Sequence, residues 1–202
     1  ALSDKAKLDD AMTRIESEAV RMTSLVESLL SLARLDDDKP LETHETDILA
    51  LCRNAAKDLS VAEYRRDIRL IDLSGSEFES ASTLMANVDQ NMIKQILINL
   101  LANASRFSPE DKPVYVAAGV ADGFLVLEVR DSGEGIPKSL RDKVFERFYR
   151  ADGSRVRVGQ DGTGLGLSIV DAVMRAHGGS VSVRSELGKG STFTLHFLNR
   201  ES

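Results

Sequence analysis

Cysteine occurs once in the 202 residues, at Cys52. A single thiol excludes a disulfide within the chain and suits a reducing compartment, so a cytoplasmic location is expected. Positive charge is in deficit: 26 Lys+Arg stand against 32 Asp+Glu, a balance of −6. That balance disfavours a nucleic-acid binder relying on a broad basic surface and leaves proteins or nucleotides as the expected partners. Long apolar runs are missing too. The stretch Ile96 to Ala102 is interrupted by Asn99 and is far too short to span a bilayer, and no signal-peptide pattern opens the chain. Membrane attachment is therefore expected only through segments upstream of these residues. Internal repeats and low-complexity segments are absent as well. At 42% hydrophobic and 29% charged, the composition suits one globular domain with a smaller appendage.

The appendage comes first. Leu8, Met12, Ile15, Ala19, Met22, Val26, Leu29 and Ala33 step by fours and threes with charges between them, which predicts one long amphipathic helix. A lone helix cannot bury such a seam, so partner helices from this chain or a second copy are expected. The run Asp36-Asp37-Asp38-Lys39-Pro40 breaks the pattern and reads as a linker. The expected domains are thus residues 1–37 and 38–202. In the second, the patterning predicts a helix near Asp47 to Ser60, a strand near Ile68 to Leu73 and a long helix from Gln90 to Phe107 stopped by Pro109. A hairpin of Val114 to Val120 and Phe124 to Arg130 follows. A helix from about Thr163 to His177 then precedes a closing hairpin, Ser180 to Ser185 and Ser191 to Phe197. The expected class is α/β, a two-layer sandwich of a mixed sheet covered by helices on one face.

Several segments offer chemistry. On the helix Gln90 to Phe107, about 100° per residue puts Ile93, Leu97, Leu100 and Ala104 on a core face and Asn99, Asn103 and Arg106 on one flank. Two amides and a guanidinium suit an anion and its metal. Magnesium takes oxygen ligands and is usually held jointly by protein and substrate phosphates, so the Asn103 carbonyl is a candidate ligand. The same amides equally suit bonding to neighbouring backbone. Asp131-Ser132-Gly133-Glu134-Gly135-Ile136-Pro137 follows a strand, where glycines permit a sharp turn and an Asp can accept from an exocyclic amine; a plain surface turn fits it too. After Val144 to Arg150 comes a long stretch poor in hydrophobics through Gly153, Gly159 and Gly162, either a lid or surface disorder. Finally Asp161-Gly162-Thr163-Gly164-Leu165-Gly166-Leu167-Ser168 runs into an apolar helix, and its free amides suit phosphate at the positive end of the helix dipole. The spacing matches neither the dinucleotide fingerprint nor a P-loop.

Taken in order, these segments resemble the four sequence boxes of the histidine kinase ATPase domain. Asn99 to Asn103 is similar to the asparagine box, Asp131 to Gly135 to the first glycine box, Phe145 to Phe148 to the phenylalanine box, and Gly162 to Gly166 to the second glycine box. Gly188-Lys189-Gly190-Ser191-Thr192-Phe193 resembles the family's closing hairpin. The likeness covers roughly residues 41–198. It implies a Bergerat-type ATP-binding fold with ATP and magnesium as cofactors. Asp131 would read the adenine amine, Asn103 would hold magnesium, Asn99 would support metal and phosphates, and Arg106 would face the phosphate tail. Phe107 stands where the family often has tyrosine against the adenine. Gly133, Gly135 and Ile136 would shape the base pocket. The backbone of Gly162, Thr163, Gly164, Leu165, Gly166 and Leu167 would line the phosphates, with Arg147 or Arg150 reaching in from the lid side.

The resemblance further implies a protein-histidine kinase. It would be dimeric through a helical hairpin whose second helix opens this chain, and would act on a response regulator from the cytoplasmic side of an inner-membrane-anchored sensor. Related ATPases of the gyrase, Hsp90 and mismatch-repair type place a Glu where Asn99 stands and use it to activate water. Asn cannot take that proton, which favours transfer over hydrolysis. The family's acceptor, a His followed by an acidic and a basic residue, is expected on an earlier helix; no such motif occurs in these residues. His44, His177 and His196 read as structural. A non-catalytic nucleotide-binding module and an ATP hydrolase are the competing readings.

Overall fold

The computed structural model describes residues 41–61, 66–79, 81–149 and 163–198, with scattered residues between 11 and 33. In chain order the elements are β1 (His44–Asp47), α1 (Ile48–Val61), β2 (Ile68–Asp72), β3 (Met85–Val88), α2 (Gln90–Phe107), β4 (Val114–Ala121), β5 (Phe124–Arg130), α3 (Gly166–Ala176), β6 (Ser180–Glu186) and β7 (Gly190–Leu198), with short 3-10 turns at Lys138–Leu140 and Lys143–Phe145. Five strands form one sheet in the order β2-β4-β5-β7-β6. The β2–β4 pair is parallel and the others antiparallel, so the sheet is mixed as expected.

Local chemistry accounts for the element ends. Asp89 caps α2 by accepting from Asn91 N at 3.0 Å and Met92 N at 3.1 Å, two donors that a helix start leaves unpaired. The helix stops at Ser108, which is extended and precedes Pro109. Its last carbonyls are covered by Arg66, whose guanidinium donates to Ser108 O at 2.7 Å and also to Ser105 O and Pro109 O. The β4–β5 hairpin turns on Asp122 and Gly123 at φ 51° and 78°, successive left-handed residues that match the twist of the strands they join.

The core lies between the three helices and one sheet face. Ile93, Ile96, Leu97 and Leu100 of α2 meet Ile169 and Val173 of α3, Leu49 and Cys52 of α1, and the strand residues Val116, Leu127 and Leu195. Each such Leu or Ile side chain contributes roughly 1.5–3 kcal/mol on burial. Burial likewise pushes the Cys52 thiol up to about 12, which leaves it an inert apolar filler. On the opposite sheet face, buried Glu128 is bonded by Arg130 at 2.7 Å, Arg184 at 3.3 Å and Thr194 at 3.3 Å, so its charge is compensated.

Three sequence expectations need correction. The helix expected from Thr163 begins at Gly166, because Gly164 is left-handed at φ 72° and a helix cannot pass through it. The strand expected to reach Leu73 ends at Asp72, whose carboxylate accepts from Ser74 Oγ at 2.6 Å and Ser76 N at 2.9 Å and turns the chain. Strand β3 was not expected. It pairs with β1 in a separate two-stranded sheet, Asp47 opposite Met85 and His44 opposite Val88.

The described residues between 11 and 33 are helical. Met12, Ile15, Met22, Val26 and Leu29 of the seam are exposed, while Leu25 packs against the core cluster. Leu8 and the linker run 36–40 lie outside the described residues. No helix among those described is long and apolar enough to cross a membrane.

Candidate functional site

Asn99 and Asn103 lie one turn apart on the partly exposed flank of α2, with Arg106 beyond them. Asn99 Nδ2 donates to Gly166 O at 3.4 Å, joining this flank to the start of α3. The second glycine segment is held from its other side. Phe148 N donates to Gly164 O at 3.0 Å, and a Cβ on Gly164 would fall 2.9 Å from the Phe148 carbonyl carbon. Glycine is required there both for φ and for space. Gly166 differs: its φ is not left-handed, and a Cβ would meet only Asn99 atoms at 3.7 Å or more. Thr163 Oγ1 accepts from Leu165 N at 3.4 Å. The Leu165 side chain is fully buried in the core and Leu167 partly so, leaving their backbone as what they present to a ligand.

Asp131 ends β5. Its N–H donates to Ser191 O at 2.8 Å, and its Oδ1 accepts from Gly133 N at 2.8 Å and Ser191 N at 3.2 Å. Burial pushes the Asp131 carboxyl above its ordinary range, and these two N–H groups together with the Ser191 side chain pull against that shift. Among the described residues no backbone N–H donates to Oδ2. The loop after Asp131 touches the end of α2: Ser132 N donates to Ser108 Oγ at 3.2 Å, and a Cβ on Gly133 would come within 2.8 Å of Phe107 O. Phe107 is 41% exposed, with the Arg106 guanidinium 4.9 Å above its ring centre. The structure therefore brings Asn99, Gly164 and Gly166 together beside the middle of α2, and Asp131, Gly133 and Phe107 together at its C-terminal end.

Of the remaining expected residues, Gly135 and Ile136 are stitched to the closing hairpin. Gly188 N donates to Glu134 O at 2.8 Å and Ile136 N to Ser185 Oγ at 2.7 Å. Arg147 is exposed. Arg150 and Gly162 lie outside the described residues. A shallow cavity of about 290 Å³ opens where β6 meets β7, lined by Asp131, Arg184, Ser185, Glu186, Ser191 and Thr192 among others. Alternation places Arg184, Glu186 and Thr192 on the face that carries Glu128, opposite the helices.

The histidines are accounted for. His177 Nε2 accepts from Asp89 N at 3.0 Å while its Nδ1 bonds Val173 O at 2.8 Å, which fixes the Nδ1–H tautomer. His196 meets Phe124 edge-on at 6.3 Å, and His44 sits exposed in β1. Two contributors were not foreseen: Arg66 at the end of α2, and the pair Ser185 and Ser191. Small polar residues at inward positions of β6 and β7, where Val183 and Phe193 are the neighbouring inward side chains, were the available signal for the serines.

Comparison with known proteins places the fold in a family. Residues 88–201 match the family model described as histidine kinase-, DNA gyrase B-, and HSP90-like ATPase. The sensor histidine kinase YkoH of Bacillus subtilis is 38% identical over 190 residues, covering 94% of this chain and 39% of its own length. The probable sensor histidine kinase TcrY of Mycobacterium tuberculosis is 40% identical over 185 residues, covering 92% and 37%. The chain thus spans less than half the length of these relatives. Among solved structures, full-length ShkA in complex with AMPPNP superposes with a TM-score of 0.70 at 32% identity, over 87% of this chain and 35% of that one. The Acinetobacter baumannii histidine kinase AdeS shares the fold at a TM-score of 0.68 and 23% identity, over 89% and 79%. With more than half its length matched by the family model and the Asn99, Asp131 and Gly164 segments assembled around α2, the chain belongs to the histidine kinase-, DNA gyrase B- and HSP90-like ATPase family.

Proposed function

We propose that this chain is the ATP-binding catalytic portion of a sensor histidine kinase, transferring the γ-phosphoryl group of magnesium-ATP to a protein histidine for relay to an aspartate of a response regulator. The observation that carries the reading is Asn99. It occupies the α2 flank against Gly166 with its amide nitrogen on a carbonyl, where a water-activating member of this fold needs a carboxylate. An amide takes no proton near neutrality, so this position orients phosphate and does not make hydroxide.

The roles follow from chemistry. Asp131 Oδ2 accepts the 6-amino group of adenine, with Gly133, Gly135 and Ile136 shaping the pocket and Phe107 lying against the base. Residues 162–167 present backbone N–H groups to the phosphates at the N-terminus of α3, where the dipole favours negative charge. Arg106 faces the phosphate tail, and Arg147 or Arg150 closes from the lid side. Among the described residues no group of His, Cys, Asp and Glu is built to hold a metal by itself. An Asn carbonyl beside a polyphosphate fits magnesium, which accepts mixed protein, phosphate and water oxygens. Asn103 would supply that oxygen, and the bound ion would neutralise charge on the transferring phosphoryl. Asn99 and Asn103 then act by positioning, the main resource in phosphoryl transfer.

Beyond the site, the exposed seam of Ile15, Met22 and Val26 supports a helical-hairpin homodimer in the whole protein. The relatives are named sensor histidine kinases, and the reading adds a response-regulator partner and a sensor held at the inner membrane by segments outside these residues, with this portion in the cytoplasm. Single-turnover reaction with labelled ATP tests the function. A supplied helical hairpin bearing the acceptor histidine is expected to become labelled in an Asn103-dependent way, leaving His44, His177 and His196 unlabelled. Steady phosphate release without an acceptor would instead establish a hydrolase, and nucleotide binding with neither outcome a non-catalytic module.

A further inference from the structure

The first glycine loop and the closing hairpin meet at one hydroxyl. Ser185 Oγ accepts from Ile136 N at 2.7 Å, donates to Gly190 O at 2.9 Å and lies 3.0 Å from Ser191 Oγ. A serine hydroxyl has one proton and two lone pairs. With its proton on Gly190 and one lone pair on Ile136, Ser185 completes its set by accepting the Ser191 proton. Arg141 closes the same junction, its guanidinium donating to Ile136 O at 3.4 Å and to Ser185 O.

This junction governs how Asp131 is used. Ser191, held through its hydroxyl by Ser185, sends its backbone N–H to Asp131 Oδ1, where Gly133 N also donates. Oδ1 is thereby filled, while Oδ2 receives no backbone N–H among the described residues. A carboxylate with both oxygens open grips the adjacent N1–H and 2-amino donors of guanine side by side, as it grips the paired donors of a guanidinium. A carboxylate with a single open oxygen takes one N–H, which is what the 6-amino group of adenine offers.

We propose that Ser185 is a positioning residue that sets purine selectivity, fixing Ser191 so that Asp131 keeps only one open oxygen and favours a 6-amino over a 6-oxo purine. This rests on the reading that Asp131 faces the base.

Ser185→Ala, Ser185→Thr and Ser191→Ala are compared with the unaltered chain by calorimetric titration with magnesium-ATP and magnesium-GTP, melting temperatures being recorded alongside. The unaltered chain is expected to prefer ATP, and Ser185→Ala to narrow the ATP-to-GTP affinity ratio by about tenfold, the scale of one directed hydrogen bond. Ser191→Ala should narrow it less, since Ser185 still bonds Ile136 N and Gly190 O there, and Ser185→Thr, which keeps the hydroxyl, should restore it. A merely structural role lowers both affinities together; a ratio unchanged in folded Ser185→Ala overturns the proposal. Should that variant not fold, an unchanged ratio in Ser191→Ala overturns it instead. If the unaltered chain binds ATP and GTP alike, or Asp131→Asn binds ATP undiminished, the reading of Asp131 itself has failed and the positioning role fails with it.

Discussion

Phe148 and Gly164 meet backbone to backbone: the Phe148 N–H donates to the Gly164 carbonyl at 3.0 Å, and both residues are left-handed, at φ 63° and 72°. A left-handed phenylalanine costs roughly 1–2 kcal/mol and persists only where its surroundings impose it. The pairing therefore links the segment ending at Tyr149 to the one opening at Thr163, beside the middle of α2 where Asn99 stands.

Gly164→Ala should break this link, because its Cβ has no space and its φ is unfavourable. Loss of about 1–3 kcal/mol of stability and at least a tenfold weaker ATP affinity are expected, by denaturant titration and calorimetry. Gly166→Ala is the control. With only ordinary contacts at its Cβ, it should leave stability unchanged or raise it by about 0.4–1 kcal/mol.

Asp131→Asn should separate binding from stability. The amide oxygen still accepts from Gly133 and Ser191, but the open oxygen becomes a donor and opposes the adenine amine, so ATP affinity should fall roughly 10- to 100-fold. Stability should move the other way. The folded Asp131 pKa is raised by burial, so the folded state holds this proton more tightly than the unfolded one, and the wild-type loses stability as pH rises through the window between the two values. Melting curves from mildly acidic to neutral pH are expected to show Asp131→Asn without that decline.

His177→Ala should cost about 1–3 kcal/mol by stranding the Asp89 N–H at the start of α2. Its KM for ATP should stay within about twofold of wild type, because the histidine ties α3 to α2 at the end away from the site. Equal stability in the variant would show that the Asp89–His177 bond does not form in solution.

Ile15→Glu with Val26→Glu places charge on a seam that is already exposed. Sedimentation is expected to show loss of any self-association with ATP binding intact. Unfolding of the nucleotide domain in this variant would mean that the helix belongs to its core.

What the sequence disclosed depended on how local the determinants are. The bounds of α2 are set by Asp89 and Pro109, each adjacent to the end it defines, and the hairpin at Asp122 and Gly123 is set by its own turn. Strand β3 was hidden because four residues show little alternation and its partner β1 lies far earlier in the chain. The start of α3 was misplaced because the left-handed Gly164 breaks a pattern that otherwise reads as helix. The site behaved likewise. The flank of Asn99 and Asn103 follows from helical rotation alone, whereas its contact with Gly166 spans 67 residues and was reachable only through the family resemblance. The Ser185 junction joins residues 49 apart, and no local pattern announces it.

Arg66 gives α2 a second property. The carbonyl end of a helix carries roughly half a unit of negative charge, and the proposed polyphosphate would lie along its last turns, beside Asn103 and Arg106. By covering the Ser105, Ser108 and Pro109 carbonyls with a full positive charge, Arg66 reverses the sign of that pole. A helix end that would repel an anion becomes one that tolerates it, through a side chain standing well before α2 in the chain. The penalty for losing this guanidinium should therefore grow with the number of phosphates on the nucleotide, from adenosine through ADP to ATP, and shrink as salt is added.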